Sequence, residues 1–209
     1  MNRKGILLVV SGFSGAGKGT LMKELLSRYD NYALSISATT RNPREGEVDG
    51  REYFFRTREE FEKMIAEDAL IEHACYVGNY YGTPRAYVEE QLSLGKDVIL
   101  EIEIQGALQI KKRFPDTLLL FVSPPDAATL KNRLVGRGTE TMEVIENRLA
   151  RATEEANGIE QYDYFIINDD LDACVRQVHE IIQGEHSRVF RSLELITEIR
   201  SELKTFQKG

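Results

Sequence analysis

The run Gly12-Phe13-Ser14-Gly15-Ala16-Gly17-Lys18-Gly19-Thr20 has the composition and spacing of a loop that holds phosphates. Backbone N–H groups in such a turn curl around an anion, and the N-terminus of a following helix adds its dipole. Gly12, Gly15 and Gly17 permit backbone angles that a side chain would forbid. Lys18 supplies a point charge for the outer phosphates of a nucleoside triphosphate. One position departs from the common form. Gly19 follows Lys18 where a Ser or Thr usually ligates Mg2+, and the hydroxyl comes one residue later, on Thr20.

Other side chains are spaced for the same kind of work. Arg41 and Arg44 flank Asn42-Pro43. Pro43 stiffens that turn, so both guanidiniums can reach one phosphate through paired hydrogen bonds. Arg133, Arg137, Arg148 and Arg151 form a second group, with Arg137 between Gly136 and Gly138. The spacing of Arg133 and Arg137 would put them on one helix face. The whole chain is acidic, with 34 Asp and Glu against 27 Lys and Arg. Cation clusters in an acidic chain are candidate polyanion sites, whereas an isolated arginine reads as a solvated face. Glu101 and Glu103 alternate with Ile102, so on a strand both project from one face. Glu72 sits in the apolar stretch Leu70-Ile71-Glu72-His73-Ala74. His73, His179 and His186 fall in no catalytic motif and read as packing residues.

A frame must bring these groups together. Ile6–Val10, Val98–Ile102, Leu118–Val122 and Phe165–Ile167 are apolar strand candidates separated by helical patterns. Strands alternating with helices predict an α/β fold, a parallel sheet core flanked by helices. Ligands of such sheets sit beyond the carboxyl ends of the strands. Thr83-Pro84 reads as an N-cap followed by Pro at the first helical position, with Gly95 as the stop. Pro124-Pro125-Asp126 opens a helix to about Val135, and another spans about Thr141 to Asn157-Gly158. The stretch from about Leu171 to Thr205 reads as helical, with Val175, Val178, Ile181 and Ile182 on one stripe.

The section from about Leu34 to Leu94 differs. It holds short strands near Leu34–Ser37, Tyr53–Phe55 and Leu70–Tyr76, with a turn-rich segment at Asn42–Gly50. It reads as a mixed β/α insertion, residues 34–95, into a core of residues 1–33 and 96–209. Gly136-Arg137-Gly138-Thr139-Glu140-Thr141 begins a short lid at about 136–158, able to close over a ligand.

At 209 residues the chain suits one domain with elaborations. No apolar run has membrane-spanning length, and the first strand follows closely on Met1, leaving no room for a signal peptide. Cys75 and Cys174 suggest no disulfide framework. The expectation is a cytoplasmic protein with no membrane partner. Its net charge of −7 argues against a nucleic-acid partner.

Ser35-Ile36-Ser37-Ala38-Thr39-Thr40-Arg41-Asn42-Pro43-Arg44-Glu45-Gly46-Glu47 resembles the monophosphate-binding signature of guanylate kinases, a family of P-loop nucleoside monophosphate kinases. Gly78-Asn79-Tyr80-Tyr81-Gly82-Thr83 resembles its second half. Gly136-Arg137-Gly138-Thr139-Glu140-Thr141 and Ile167-Asn168-Asp169-Asp170 resemble its lid and adenine-side elements. With the phosphate loop, the resemblance runs in consistent order from about Ile6 to about Glu185. It implies a P-loop NTPase-type core, a GMP-binding insertion and a lid. It implies Mg2+-dependent transfer of the γ-phosphoryl group of ATP to GMP or dGMP, giving ADP and GDP or dGDP.

The resemblance also implies roles. Gly12, Phe13, Ser14, Gly15, Ala16, Gly17, Lys18, Gly19 and Thr20 would hold ATP, with Asn168 near its base. Arg41, Arg44, Tyr53 and Tyr81 would hold the GMP phosphate. Ser37, Glu72 and Thr83 match the guanine edge, assisted by Glu103. Lys18, Arg133, Arg137 and Arg148 would clamp the phosphates and the transferred group. The family generally has Asp where Glu101 and Glu103 stand. Glu101 would orient Mg2+-bound water, with Thr20 as a second metal candidate. With Gly19 lacking a hydroxyl, the metal is expected to be held mostly by phosphates and water. Tyr80 and Phe54 read as packing, and Arg151 as an exposed helix charge.

Such a reaction needs no general base, because a phosphate monoester arrives already anionic near neutral pH. It needs two polyanions brought together and their charge neutralised. Two alternatives remain on sequence alone. One is a kinase of another small phosphorylated substrate, such as AMP or a ribose phosphate, which the Gly19-Thr20 ending favours. The other is a guanylate-kinase-like interaction module without catalysis, against which Lys18 and the loop glycines stand. The oligomeric state is not legible.

Overall fold

A computed structural model describes residues 4–76, 78–136 and 141–206. The first half runs β1 (Leu7–Gly12), α1 (Lys18–Arg28), β2 (Tyr32–Leu34), β3 (Ala38–Thr39), β4 (Phe54–Phe55), α2 (Arg58–Ala66), β5 (Leu70–Tyr76), β6 (Asn79–Pro84) and α3 (Arg85–Ser93). The second runs β7 (Asp97–Glu101), α4 (Ile104–Arg113), β8 (Leu118–Ser123), α5 (Ala127–Val135), α6 (Met142–Ala156), β9 (Tyr164–Ile167), α7 (Leu171–His186) and α8 (Leu193–Thr205).

Five strands form one parallel sheet in the order β2-β7-β1-β8-β9. Alternation along the strands divides the core in two. Leu8, Val10, Leu120 and Val122 face α1 and α7, where Leu21, Leu25, Val175, Val178 and Ile182 complete one cluster. Val9, Val98, Leu100 and Leu119 face the other way, against Val88 of α3 and Ala107 and Ile110 of α4. This is the expected parallel sheet with helices on both faces. A second, four-stranded mixed sheet, β4-β3-β6-β5, closes over Phe61 of α2, with Phe54 and Tyr80 packed beside it as expected.

Helix starts follow their caps. Asp126, Thr141 and Asp170 each accept a hydrogen bond from the backbone N–H three residues on, opening α5, α6 and α7. Thr57 and Glu60 form a capping box on α2. Helices α1, α3, α4 and α8 have no such side-chain bond, and α1 is the one that follows the phosphate loop. Its cap is Gly17 at φ 88°, with no side-chain bond, so its first N–H groups are left for an anion.

Several expectations need correction. Pro84 is the cap of α3, not its first residue, and β6 runs up to it. The Thr83 side chain is instead turned to Glu72, to which its hydroxyl donates, and α3 starts without a side-chain cap bond. The expected strand at Leu34–Ser37 is split. Leu34 ends β2 in the parallel sheet, and β3 begins at Ala38 in the mixed sheet. Strand β7 ends at Glu101, and Glu103 is the cap residue of α4 rather than part of a strand face. The C-terminal helix is broken after His186 by an extended Arg188 and a 3-10 turn at Val189–Ser192. Arg188 and Arg191 both reach buried Glu185, at 3.3 and 3.6 Å; a continuous helix would allow the first, an i,i+3 pair, but not the second, six residues away. The expected pairing of Arg133 with Arg137 on one face lies partly outside the described residues, as does Arg137 itself.

Candidate active site

The loop between β1 and α1 is fixed by two close approaches. A Cβ on Gly12 would lie 2.1 Å from the carbonyl oxygen of Val122. One on Gly17 would lie 2.6 Å from Nδ2 of Asn168, and Gly17 has a left-handed φ of 88°. Asn168, buried at the end of β9, donates from Nδ2 to the carbonyl of Ala16 at 2.8 Å. It therefore braces the loop. Phe13 packs edge-on against Phe121 of β8 at 5.0 Å. Lys18 Nζ donates to the carbonyls of Gly12 and Phe13, at 2.6 and 3.3 Å. Arg148, on α6, reaches across to the loop and donates to the hydroxyl of Ser14 at 2.9 Å. Arg133 lies half-buried in the last turn of α5. Gly19 and Thr20 are exposed in the first turn of α1.

From this loop a cavity of about 500 Å3 extends between the two sheets. Lys18, Glu101 and Glu103 line its core side, and Ser37, Arg41, Arg44, Tyr53, Glu72 and Tyr81 line the mixed-sheet side. Residues far apart in sequence thus share one cleft at the carboxyl ends of the parallel strands, where such folds bind ligands.

Its floor on the mixed-sheet side is an acid in an apolar setting. Glu72 is 7% exposed, and its Oε1 accepts the hydroxyl of buried Thr83 at 2.7 Å. Burial pushes its carboxyl up to about 7, against the pull of the Thr83 hydrogen bonds. Gly106 leaves room for that carboxylate, since a Cβ there would lie 3.0 Å from Oε2.

The rim is cationic and aromatic. Arg41 lies over the Tyr53 ring at 5.2 Å, and Tyr53 packs against Tyr81. Burial raises the Tyr53 hydroxyl above its ordinary value, so it stays a donor. The Arg41 fork is engaged by Glu47, with Nη1 and Nη2 donating to its two oxygens at 2.9 and 3.0 Å. The backbone N–H of Arg44 donates to the same carboxylate at 2.7 Å. These bonds, Arg41 first, hold Glu47 below the usual carboxylate range.

At the core side, Glu101 lies on the cleft floor, open to solvent within the cleft yet walled by protein. That enclosure raises its carboxyl, opposed by the charge of Lys18 and supported by Glu103. Glu155 of α6 meets Glu103 in a carboxyl–carboxylate hydrogen bond, and burial together with Glu103 raises its pKa.

Sequence reasoning missed Glu47, Glu155 and Gly106. Two had a signal. Glu155 lies seven residues after Arg148, two turns along the same helix face. Glu47 closes the same turn as Arg41 and Arg44. Gly106 had none, because its role depends on a side chain brought from β5. The histidines sit outside the cleft lining. His186 binds Asp97, His179 stacks on Tyr29, and His73 is exposed on β5.

A model of the guanylate kinase family matches residues 4–185. The chain belongs to the guanylate kinase family. The guanylate kinase of Bacillus anthracis is 53% identical over 203 residues, spanning 97% of this chain and 99% of that protein. The guanylate kinase of Lactococcus lactis subsp. lactis (strain IL1403) is 48% identical over 204 residues, 98% of this chain and 100% of that protein. Among solved structures, that of guanylate kinase from Anaplasma phagocytophilum superposes with a TM-score of 0.76 at 31% identity, covering 94% of this chain and 95% of that one. The family membership agrees with a parallel-sheet core built behind a phosphate loop.

Proposed function

We propose that the chain is an ATP:GMP phosphotransferase, acting on GMP and dGMP. One observation carries this reading. A single cleft joins Lys18 of the phosphate loop to the Arg41–Arg44 pair and to a buried carboxylate, Glu72, beside the Thr83 hydroxyl. That combination suits a triphosphate site, a monophosphate site and a hydrogen-bonding base site within one cleft.

The base site selects guanine. Guanine presents N1–H and a 2-amino group as donors, which ionised Glu72 accepts. Ser37 and Thr83 supply hydroxyls, and Glu103 adds a further acceptor. Adenine would set its N1 lone pair against Glu72 and leave buried groups unpaired, a mismatch that polar sites reject strongly. Arg41, Arg44, Tyr53 and Tyr81 hold the acceptor phosphate. On the donor side, the loop from Gly12 to Thr20 offers N–H groups to ATP, and Asn168 holds the loop close to the adenine side. Lys18, Arg133, Arg137 and Arg148 neutralise charge on the transferred group.

Phosphoryl transfer then needs positioning and charge stabilisation more than acid–base chemistry. Lys18 exchanges its loop carbonyls for phosphate oxygens. Arg148 exchanges Ser14 in the same way. Residues 34–95 act as the acceptor domain and 136–158 as the lid, and their approach excludes water.

The donor set suits Mg2+. Among the described residues no three carboxylate, His or Cys side chains are grouped to cage a metal. Glu101 offers one hard oxygen group on the cleft floor, and Thr20 an exposed hydroxyl in the first turn of α1. Mg2+ keeps several waters and binds through one or two protein oxygens plus phosphates. Bound there, it would neutralise the phosphate oxygens, and Glu101 would orient its water. No helix among the described residues is long and apolar enough to cross a membrane. The two cysteines are unpaired, which suits a cytoplasmic setting.

A coupled assay of ADP release across GMP, dGMP, AMP, UMP and CMP tests the reading. Turnover with GMP and dGMP alone is expected. Preference for AMP, or no turnover at all, would overturn it.

A further inference from the structure

Glu155 is an acid that the phosphoryl transfer does not call on, yet it sits at a junction. It lies in the last turn of α6, and Arg148, two turns earlier on that helix, donates to Ser14 of the phosphate loop. The end of α6 closes on the start of α4. Gly158, just past the helix, permits this, because a Cβ there would lie 3.1 Å from Cγ2 of Ile104, the first residue of α4. Glu103 immediately precedes Ile104, and Glu155 meets its side chain in the carboxyl–carboxylate hydrogen bond. Helix α6 therefore touches the phosphate loop at one point and the Glu103 carboxylate at another.

Glu103 needs such a holder. It is the cap residue of α4 but makes no side-chain cap bond. Its long arm is rich in rotamers, and an arm left free loses that entropy on meeting a ligand. Its neighbour is the acid assigned to the guanine edge. Glu72 Oε2 lies against Gly106, where a Cβ would come within 3.0 Å, and Gly106 is one helical turn on from Glu103. Both carboxylates line the cleft. The guanine 2-amino group carries two hydrogens. Glu72 accepts N1–H and one of these, which leaves the second for an acceptor beside Glu72.

We propose that Glu155 is a positioning residue for acceptor selectivity: its hydrogen bond aims the Glu103 carboxylate at the second hydrogen of the guanine 2-amino group. The proposal rests on the guanine assignment made above. Lys18 and Arg151 also act on the charge of Glu155. A neutral amide would lose that attraction and keep the hydrogen bond, which separates the two roles.

Initial rates with GMP and with inosine monophosphate, whose base lacks the 2-amino group, test the proposal. Glu155→Ala should lower kcat/KM for GMP about tenfold, the scale of one hydrogen bond to a charged group, and leave that for inosine monophosphate unchanged. Glu155→Gln, whose amide still donates, should keep the parent ratio of the two. Glu103→Ala should reproduce the loss on GMP, and adding Glu155→Ala to it should cost nothing more. Glu155→Leu carries the same comparison should Glu155→Ala fail to fold. Equal losses on both nucleotides, a Glu155→Gln that behaves like Glu155→Ala, or additive losses in the double variant would overturn the role. A parent enzyme that phosphorylates neither nucleotide overturns the proposed function itself. A parent that prefers GMP, with the ratio unmoved in Glu155→Ala, overturns this inference alone.

Discussion

On the proposed function, Glu72 should couple acceptor binding to pH. Burial holds its carboxyl at about 7 in the free protein, so it is half protonated at that pH. Only the carboxylate can accept both guanine donors. Binding of GMP should therefore expel about half a proton from this group at pH 7, and affinity should fall about tenfold per unit below that. Calorimetry in two buffers of different ionisation enthalpy reads the proton count, and Glu72→Gln should remove this contribution while leaving that of the monoester. An unchanged count in the variant would count against the role. The sign for folding is opposite to a salt-bridged acid. The folded value lies above the ordinary 4.5. Glu72 thus favours the native state in acid, and that contribution is lost as pH rises from about 4.5 to 7. Two other side chains make separate predictions. Glu47 holds the Arg41 fork beside Tyr53, so Glu47→Gln should raise the GMP KM about tenfold with kcat and the ATP KM unchanged, in initial-rate assays. Arg148→Ala should lower kcat about 10³-fold, as for other arginines that neutralise phosphoryl-transfer charge. The phosphate loop and the paired-arginine turn were legible as candidate sites because both are local patterns. The protonation of Glu72 was not, since its burial depends on Gly106 and Thr83 arriving from other elements.

Elements are tied together by one buried carboxylate that sequence gave no reason to single out. Asp97 opens β7 and is 1% exposed. Its oxygens accept the backbone N–H of Ile6 at 2.8 Å, Nδ2 of Asn31 at 3.3 Å and Nε2 of His186 at 2.8 Å. One side chain thus joins the start of the central strand to the end of α7. Asp97→Ala would orphan the Ile6 N–H and His186 together. A loss of about 3 kcal/mol is expected in urea denaturation, the scale for breaking a buried pair by removing one partner. A midpoint within error of the parent would show that the network contributes little. The contrast with the helix starts is instructive. Asp126, Thr141 and Asp170 cap with their own side chains, so the sequence marks each boundary. Thr83 has the same chemistry, but its side chain is turned to a tertiary partner, β6 continues through Thr83 and the cap falls at Pro84. The break after His186 likewise depends on Glu185 being buried where two arginines can reach it.

At the scale of the whole molecule, the proposed reaction asks two polyanions to approach across the cleft. Donor and acceptor phosphates must meet in line at near-contact distance with water excluded. In the free protein Lys18 and Arg148 are turned onto loop oxygens across an open cavity of about 500 Å3, while Glu47 holds Arg41 in place on the opposite side. Each nucleotide brings charge that competes for those cations, and two like-charged ligands repel unless cations from both sheets reach them together. Closure should therefore need both sites filled. ATP alone engages the loop and α6, and GMP alone engages the mixed sheet. Only the pair draws the mixed sheet and α6 across the cleft. Small-angle scattering should show the largest fall in radius of gyration with GMP and a non-transferable ATP analogue together, greater than the sum of the two single effects. Arg148→Ala should blunt that last increment while leaving GMP binding intact, because α6 would lose its hold on the shared phosphates. A full contraction with one nucleotide alone would mean that the cations on each side close without the opposing charge.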